Sequence, residues 1–181
     1  MAATYKSQIS NLQTRLAALE AESAIRSVVA RYMEICDDLG PNAPMEELGS
    51  LFCENAVWEG KGKKYSNAFG GHQGRAAIVA FLDTYRTPQP HFAGNVHFLT
   101  SETLKVRGQK ADGSWVMLQT PSFASGESFV LAARLSLSFA LENDAWRISR
   151  FKTTNLFGRP VQGGWHSNAP IPTPTQNQKG Q

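Results

Sequence analysis

The second half of the chain reads as a series of extended segments, and this constrains the fold most. Four apolar runs follow one another, at 95–106, 114–123, 127–141 and 145–157. Within the third run, apolar residues alternate with small or polar ones, which is typical of a strand with one buried face. The turn signals GQKADG, PSFASG and ENDA separate the runs, and ADG and END are typical of hairpins. These segments predict an antiparallel meander.

The first third of the chain reads as helical. Leucines at helical spacing predict a helix from Ser7, with a bend or break near Ala21–Ser23, where the apolar stripe changes phase. A second stripe runs from Ile25 to Cys36 and predicts a longer helix that lies against a core.

Two shorter helices are predicted after the Gly40–Pro41 turn, at 45–52 and at 75–86. The glycine-rich stretch between them, 61–74, predicts an ordinary surface loop, with a mobile flap over a pocket as the alternative. Three helices followed by a long meander favour an α+β fold, in which the helices cover one side of a curved sheet.

Length and charge limit the classes of function. A chain of 181 residues with 41% hydrophobic content predicts one globular domain, assigned to 7–160, with a partly disordered tail at 161–181. The net charge of +3 comes from scattered basic residues, which argues against a nucleic-acid partner. No apolar run is long enough to span a membrane, so a cytoplasmic protein is expected. Cys36 and Cys53 are expected to be buried thiols.

Asp37 and Asp38 end the main helix and are candidates for acid–base chemistry. The negative end of the helix dipole disfavours an ionised carboxylate there, a setting that favours proton transfer near neutral pH. Solvated residues at a helix end are the simpler interpretation. Tyr32 falls near the middle of the apolar stripe, so its hydroxyl is expected to point inward. His97 lies in a predicted strand, where packing or catalysis would explain it equally well.

The remaining histidines carry no pattern of their own. His72 and His91 fall in predicted loops and are expected to face solvent, and His166 falls in the tail. Because no cluster of cysteine and histidine has ligand spacing, no metal site is expected, and no cofactor either.

Residues of the later strands supply candidate ligand contacts. Arg134 stands mid-strand among small residues, as a pocket-lining anchor or one half of an interface ion pair. Thr153 and Asn155 share a predicted face with Phe151 and Phe157, a mixture that suits either a ligand wall or an oligomer surface.

Five strings of the chain, taken in order, carry a resemblance to a known family: LAALEAESAIRSVVARYMEICDD, LFCENAVWEG, GRAAIVAFL, VHFLTSETLKV and ALENDAWRISRFKTT. From about Leu12 to Phe157 the chain resembles the SnoaL-like group of the nuclear transport factor 2-like superfamily. That group includes polyketide cyclases, scytalone dehydratase, bile acid 7α-dehydratase and hexachlorocyclohexane dehydrochlorinase. The resemblance implies a cystatin-like α+β barrel, in which a curved antiparallel sheet forms a cone closed by three N-terminal helices.

The dehydratase-type members carry a tyrosine, an aspartate five residues later, and a histidine on a strand after the third helix. Tyr32, Asp37 and His97 match this pattern. The resemblance implies that His97 takes a proton from substrate, that Asp37 orients and charge-stabilises the imidazole, and that Tyr32 donates to a carbonyl or leaving-group oxygen. The candidate substrate contacts are Asp38, Trp58, Arg134, Phe151 and Asn155.

The chain also departs from the group. An insertion, GPNAP, follows the two aspartates and leaves Asp38 as a rival to Asp37. The bile acid enzyme carries a basic residue where this chain has Asn155, and the stretch 61–74 is longer and richer in lysine than the group implies.

The leading hypothesis is a cofactor-independent lyase that acts on a small, hydrophobic, aromatic or polycyclic hydroxylated substrate by dehydration or retro-aldol cleavage. One alternative is a ketosteroid-isomerase-like isomerase or a polyketide-cyclase-like aldol cyclase, in which Asp37 and Tyr32 would carry the chemistry. Another is a non-enzymatic module for binding or assembly. A homo-oligomer, dimer or trimer, is expected because the second face of the sheet must be covered.

Overall fold

The computed structural model describes residues 2–163 and residue 165, and within them four helices and eight strands. The helices are α1 Ala2–Asp37, α2 Met45–Ser50, α3 Gly62–Phe69 and α4 Arg75–Asp83. The strands are β1 Phe52–Lys61, β2 Gly71–Gln73, β3 Phe92–Gly94, β4 His97–Arg107, β5 Lys110–Gln119, β6 Ser122–Phe123, β7 Phe129–Glu142 and β8 Ala145–Pro160. The predicted α+β class is confirmed, with one helix more than expected.

Six strands form one curved sheet in the order β2-β1-β8-β7-β5-β4, and β3 pairs with β6 in a separate ribbon. The long strands β4, β5, β7 and β8 form the antiparallel meander that the sequence predicts. The sheet stays open and is not closed into a barrel, and β1 runs parallel to β8. β1 precedes the meander in the chain and joins its last strand.

The two hairpins of the meander differ in how well the sequence located them. Asn143 and Asp144 both have positive φ, 53° and 57°, as the END signal predicts for a tight turn between β7 and β8. The ADG signal was wrong, because the turn before β5 lies at Gly108 and Gln109. Gly113 serves packing instead, since a Cβ there would lie 2.5 Å from the ring of Trp115.

The prediction of a loop at 61–74 is wrong, since this stretch forms α3 and β2. Helix α3 lies directly on β1, so that a Cβ on Gly60 would be 2.6 Å from the carbonyl oxygen of Tyr65. Tyr65 is buried and contacts Phe69 one turn later, with ring centroids 4.8 Å apart. Gly60, just before this stretch, is needed for the close backbone approach, and Gly70 within it has a positive φ of 63°.

Helix α1 continues through Ala21–Ser23, where a break was predicted. It has 36 residues and is therefore about 54 Å long. The apolar stripe does change phase at this point, but the helix continues and the apolar residues move to another face of it. In the second half the apolar residues are buried on the domain, and they include Ile25, Val29, Tyr32 and Cys36. In the first half they are exposed: Tyr5, Ile9, Leu12, Leu16 and Leu19.

The core lies between the second half of α1, helices α2 to α4 and the inner face of the sheet. In β7 it takes Ala133, Leu135, Leu137 and Phe139, in the alternation that the sequence predicts. Within the described residues, no helix combines the length and apolarity needed to cross a membrane. The tail prediction for 161–181, with His166, falls almost entirely outside the described residues, and the single-domain assignment to 7–160 stays a prediction.

Candidate active site

A cavity of about 110 Å³ lies between the end of α1, the inner face of the sheet and helices α3 and α4. Eight of its eighteen described lining residues are aromatic: Tyr32, Trp58, Tyr65, Phe69, Phe81, Tyr85, Phe92 and Phe151. The polar side chains on the wall are Asn95, His97, Gln119 and Thr153. None of the described lining residues is a lysine, arginine, aspartate or glutamate, and His97 is the lining residue that brings an imidazole to this apolar space.

Asp37 and His97 meet at the edge of this cavity. The Nδ1 atom of His97 lies 2.6 Å from Oδ1 of Asp37, and the backbone N–H of His97 donates to the same oxygen at 2.9 Å. The two side chains are 11% and 28% exposed, for His97 and Asp37 respectively. A carboxylate beside Nδ1 favours the tautomer with the proton on that nitrogen, which leaves the lone pair of Nε2 available.

The end of α1 is tied to the sheet by two amides that the sequence analysis did not single out. Asn95 is buried and donates from Nδ2 to the carbonyl oxygen of Cys36 at 3.1 Å, and Gln119 donates to Oδ1 of Asn95 at 2.9 Å. Gln119 is also the cross-strand partner of His97. These bonds satisfy a carbonyl in the last turn of the helix and fix Asp37 relative to β4. The available signal was an asparagine two residues before the strand histidine.

The hydroxyl of Tyr32 points inward, as the helical spacing predicts. Trp58 donates from Nε1 to this oxygen at 3.0 Å, and the hydroxyl also hydrogen-bonds Cys36. Burial raises the pKa of Tyr32 well above its ordinary value and raises the pKa of the Cys36 thiol to about 12. Both groups are therefore neutral at physiological pH, and Tyr32 keeps a proton that it can donate.

Trp58 and Phe151 form the stacked part of the aromatic wall. Their rings are nearly parallel, at 4°, with centroids 5.7 Å apart. Tyr32 packs on Phe151 at 4.9 Å and Phe81 on Trp58 at 5.1 Å. Such rings give a rigid apolar surface, because each is held by its neighbours.

The hydroxyl of Thr153 lies on the cavity wall. Thr153 is 4% exposed, and its Oγ1 atom has no hydrogen-bond partner among the described residues. A buried hydroxyl without a partner costs stability, so this atom is suited to a polar atom of a ligand or to water. The sequence placed Thr153 on a possible ligand wall but did not select it as a contact.

Three of the predicted substrate contacts lie outside the cavity, which corrects the sequence analysis. Arg134 is exposed on the outer face of β7, because its neighbour Leu135 takes the inward position. Asp38 is exposed beyond the end of α1. Asn155 donates to the carbonyl oxygen of Phe157 at 3.2 Å and hydrogen-bonds Tyr65.

A β-bulge explains why the face shared by Asn155 and Phe157 was misjudged. The register of β7 and β8 shifts between Ala132 and Ala133, which turns Phe157 to the outside. A strand of even alternation would have kept both residues on one side.

The loop histidines are not equivalent. His72 is half-buried, which corrects the expectation that it faces solvent: it stacks on Phe81 at 4.1 Å, and its Nε2 lies 2.9 Å from the carbonyl oxygen of Phe69. His91 is exposed, as predicted. In the part of the chain that the structure describes, no three histidine, cysteine, aspartate or glutamate residues are grouped as metal ligands would be.

Solved structures with the same fold include two enzymes by name. A hexachlorocyclohexane dehydrochlorinase, LinA type 2, superposes with a TM-score of 0.70 at 17% identity, covering 84% of this chain and 97% of the other. A putative scytalone dehydratase from Novosphingobium aromaticivorans gives 0.65 at 19% identity, covering 87% and 96%. An NTF2-like protein with a cystatin-like fold from the same species gives 0.63 at 26% identity, covering 81% and 89%. No curated protein matches the sequence significantly.

The family that the resemblance suggested is confirmed by a family model. The model of the SnoaL-like domain matches residues 17–152, which is most of the chain. With the open curved sheet and the apolar cavity against its inner face, this match shows that the chain belongs to the SnoaL-like domain family.

Proposed function

We propose that this protein is a cofactor-independent lyase in which His97 removes a proton from a small hydrophobic substrate. The observation that carries the proposal is the 2.6 Å contact between Nδ1 of His97 and Oδ1 of Asp37 at the wall of an aromatic cavity. A base held by a carboxylate, with its other nitrogen free, is the arrangement that general base catalysis uses.

The elimination follows from these positions. Nε2 of His97 takes a proton from a substrate carbon, and the electrons of that C–H bond form the new double bond as the bond to the leaving group on the neighbouring carbon breaks. Asp37 stabilises the imidazolium that forms. A departing hydroxyl needs a proton, which the imidazolium returns, while the neutral hydroxyl of Tyr32 donates a hydrogen bond to the departing oxygen. A departing halide needs none.

The cavity favours a substrate with about one ring. Its volume of about 110 Å³ is close to that of an apolar cavity of about 150 Å³ known to take benzene. The stacked pair Trp58 and Phe151 suits a flat or alicyclic ring, and the hydroxyl of Thr153 suits one polar substituent. A polycyclic substrate would have to extend beyond this cavity.

The geometry favours a histidine base over the alternative in which Asp37 itself is the base. Oδ1 of Asp37 accepts both the backbone N–H and the Nδ1–H of His97, so this oxygen is engaged by the histidine. A module for binding alone has no need of this pair. The two enzymes named among the structural relatives, a dehydrochlorinase and a dehydratase, both remove a small group from a ring compound, which supports elimination as the reaction class.

The test uses single-ring substrates with different leaving groups, together with hexachlorocyclohexane and scytalone as probes. Chloride release and the ultraviolet change on loss of water report turnover. We expect His97→Gln to lower kcat/KM by about 10²- to 10⁴-fold. The matched control is His91→Gln, at an exposed histidine, which should leave turnover unchanged. Turnover that survives in His97→Gln would contradict the proposal.

The two adjacent aspartates give a second test. Asp37→Asn should lower kcat/KM by at least about tenfold, because an amide cannot stabilise the imidazolium. Asp38→Asn should have no such effect, since Asp38 is exposed and lies outside the cavity. The reverse ranking would assign the reaction to Asp38.

We also propose that the protein forms a homo-oligomer through the outer face of the sheet. Phe98 and Leu118 are cross-strand partners there and are 52% and 36% exposed. This pair supports the expectation that a second copy covers that face. A cytoplasmic location, a small-molecule partner and independence from nucleic acid stay predictions, to be tested on the purified protein.

A further inference from the structure

The first half of α1 carries an exposed apolar stripe with coiled-coil spacing. Its members are Tyr5, Ile9, Leu12, Leu16 and Leu19, separated by steps of four, three, four and three residues. Each is between 56% and 64% exposed. Alternating steps of three and four keep side chains on one seam of a helix, which is the heptad pattern of coiled coils.

This stripe does not serve the fold of its own protomer. From Ala21 onward the buried residues of α1 lie on the opposite side of the helix, roughly half a turn away from the stripe. The family match begins at residue 17, so most of the stripe precedes the domain that the family shares. Five large apolar side chains on one exposed seam mark an interaction surface.

We propose that this seam joins two copies of the chain in a parallel, two-stranded coiled coil. Ile9 and Leu16 occupy the a positions, and Tyr5, Leu12 and Leu19 occupy the d positions. The layer of Ile9 at a followed by Leu12 at d favours two strands. Since the seam is made of one segment, a two-fold axis along it makes the surface self-complementary.

Charges beside the seam are complementary in the parallel orientation. Arg15 occupies a g position and Glu20 the e position that follows, so a parallel pair sets Arg15 beside Glu20 of the second copy, twice. Neither residue forms an ion pair inside its own protomer among the described residues. In the antiparallel register that pairs Leu12 with Leu16, Arg15 lies beside Arg15 but Lys6 lies beside Glu20 twice. The choice between the two orientations is therefore made by cross-linking.

The composition of the helix argues against a membrane as the partner. Between residues 4 and 20 the basic residues are Lys6 and Arg15, and the remaining polar residues are mostly uncharged. Helices that lie on a membrane surface carry a polar face rich in lysine and arginine.

The test measures the molar mass of the full chain by sedimentation velocity across a range of concentrations. Every protein in this test carries Phe98→Lys, which disrupts the sheet contact proposed above, and in this background Leu12→Glu/Leu16→Glu should halve the mass. Asn11→Glu/Thr14→Glu adds the same charges away from the seam and should keep the mass of Phe98→Lys alone. Equal masses with and without Leu12→Glu/Leu16→Glu would overturn the proposal, and so would the same loss in the control.

Cross-linking and charge reversal test the orientation. Under mild oxidation Leu12→Cys should form a disulfide-linked dimer and Asn11→Cys should not, because only the seam position meets itself in a parallel pair. Arg15→Glu should weaken dimerisation about fivefold, and Arg15→Glu/Glu20→Arg should restore it. Absence of the Leu12→Cys cross-link, or tighter association of Arg15→Glu, would overturn the parallel arrangement. Elimination activity per protomer should be unchanged in all these variants, so failure here would leave the proposed reaction standing.

Discussion

The two halves of α1 both carry large apolar residues, but these residues are buried in the second half and exposed in the first. Ile25 and Val29 in the second half are buried, while Leu12 and Leu16 in the first half are more than half exposed. The helix is continuous between them, so backbone structure does not distinguish the halves. What differs is the direction of the apolar stripe, which faces the domain's own sheet in one half and away from it in the other.

An apolar stripe on a helix indicates that this face of the helix is covered, but it does not indicate which surface covers it. The phase shift near Ala21–Ser23 predicts a break only if a single surface covers the whole helix. If two partners are allowed, the same shift marks the boundary between them. The inner half then positions Asp37 in the site, and the outer half is left for contact between protomers.

The largest expected effect is on stability. Ile25→Ala should lower the free energy of unfolding by about 2–5 kcal/mol, because a fully buried side chain leaves a cavity. Leu16→Ala, measured at a concentration where the seam is dissociated, should cost less than about 1 kcal/mol. Chemical denaturation of both variants measures the difference. Equal losses would mean that the outer half packs on its own domain.

The reactivity of thiols also distinguishes the buried second half of α1 from its exposed first half. Burial raises the pKa of Cys36 to about 12 and that of Cys53 to about 11. At pH 8 their thiolate fractions are therefore about 10⁻⁴ and 10⁻³, against about 0.2 for an ordinary cysteine. A cysteine introduced as Asn11→Cys on the outer half should react with iodoacetamide at least about a hundredfold faster than either native thiol.

The pH dependence of this labelling has a definite sign. A raised pKa keeps the thiol neutral, so labelling of Cys36 in the folded protein should become faster by about tenfold per pH unit between pH 8 and 11. Asn11→Cys should level off near pH 9. Mass spectrometry of labelled peptides follows each site, and rapid labelling of Cys36 at pH 8 would contradict its burial.

The smallest effect is expected at the junction of the two halves. Arg26 donates from Nε to Glu102 on β4 at 2.8 Å and contacts Glu22 at 3.1 Å. All three side chains are partly exposed, so Arg26→Met should lower Tm by no more than about 2 °C, and the difference should disappear at high salt. A larger loss would mean that this ion pair fixes the angle of α1.

The periodicity of apolar residues predicted the fold class and the inward direction of Tyr32 in the candidate site. Alternation in the meander and the helical stripes gave the α+β arrangement, because both periods depend on which face is buried. The meeting of Asp37 and His97 was implied by the resemblance, and it required a helix end and a strand start to come together across 60 residues. No local pattern encodes such a distance.

The sequence failed where tertiary contacts override local signals. The glycines of 61–74 predicted a loop, yet the segment is held as a helix against β1. Alternation predicts that Asn155 and Phe157 share a face, because a one-residue bulge cannot be read from it. Arg134 lies on the semi-polar face of β7, which the structure places outside the cavity. Whether the hydroxyl of Thr153 has a hydrogen-bond partner depends on the residues around it in the folded cavity, which the sequence does not reveal.

The absence of a side chain at Gly60 allows α3 to lie close to β1, and this limits the size of the cavity. A side chain at this position would push α3 outward, since even a methyl group meets the Tyr65 carbonyl. Helix α3 carries both Tyr65 and Phe69 into the wall, so its displacement would widen the room for a ligand without altering any group that touches one. The size of this cavity can therefore be changed from a residue that has no side chain.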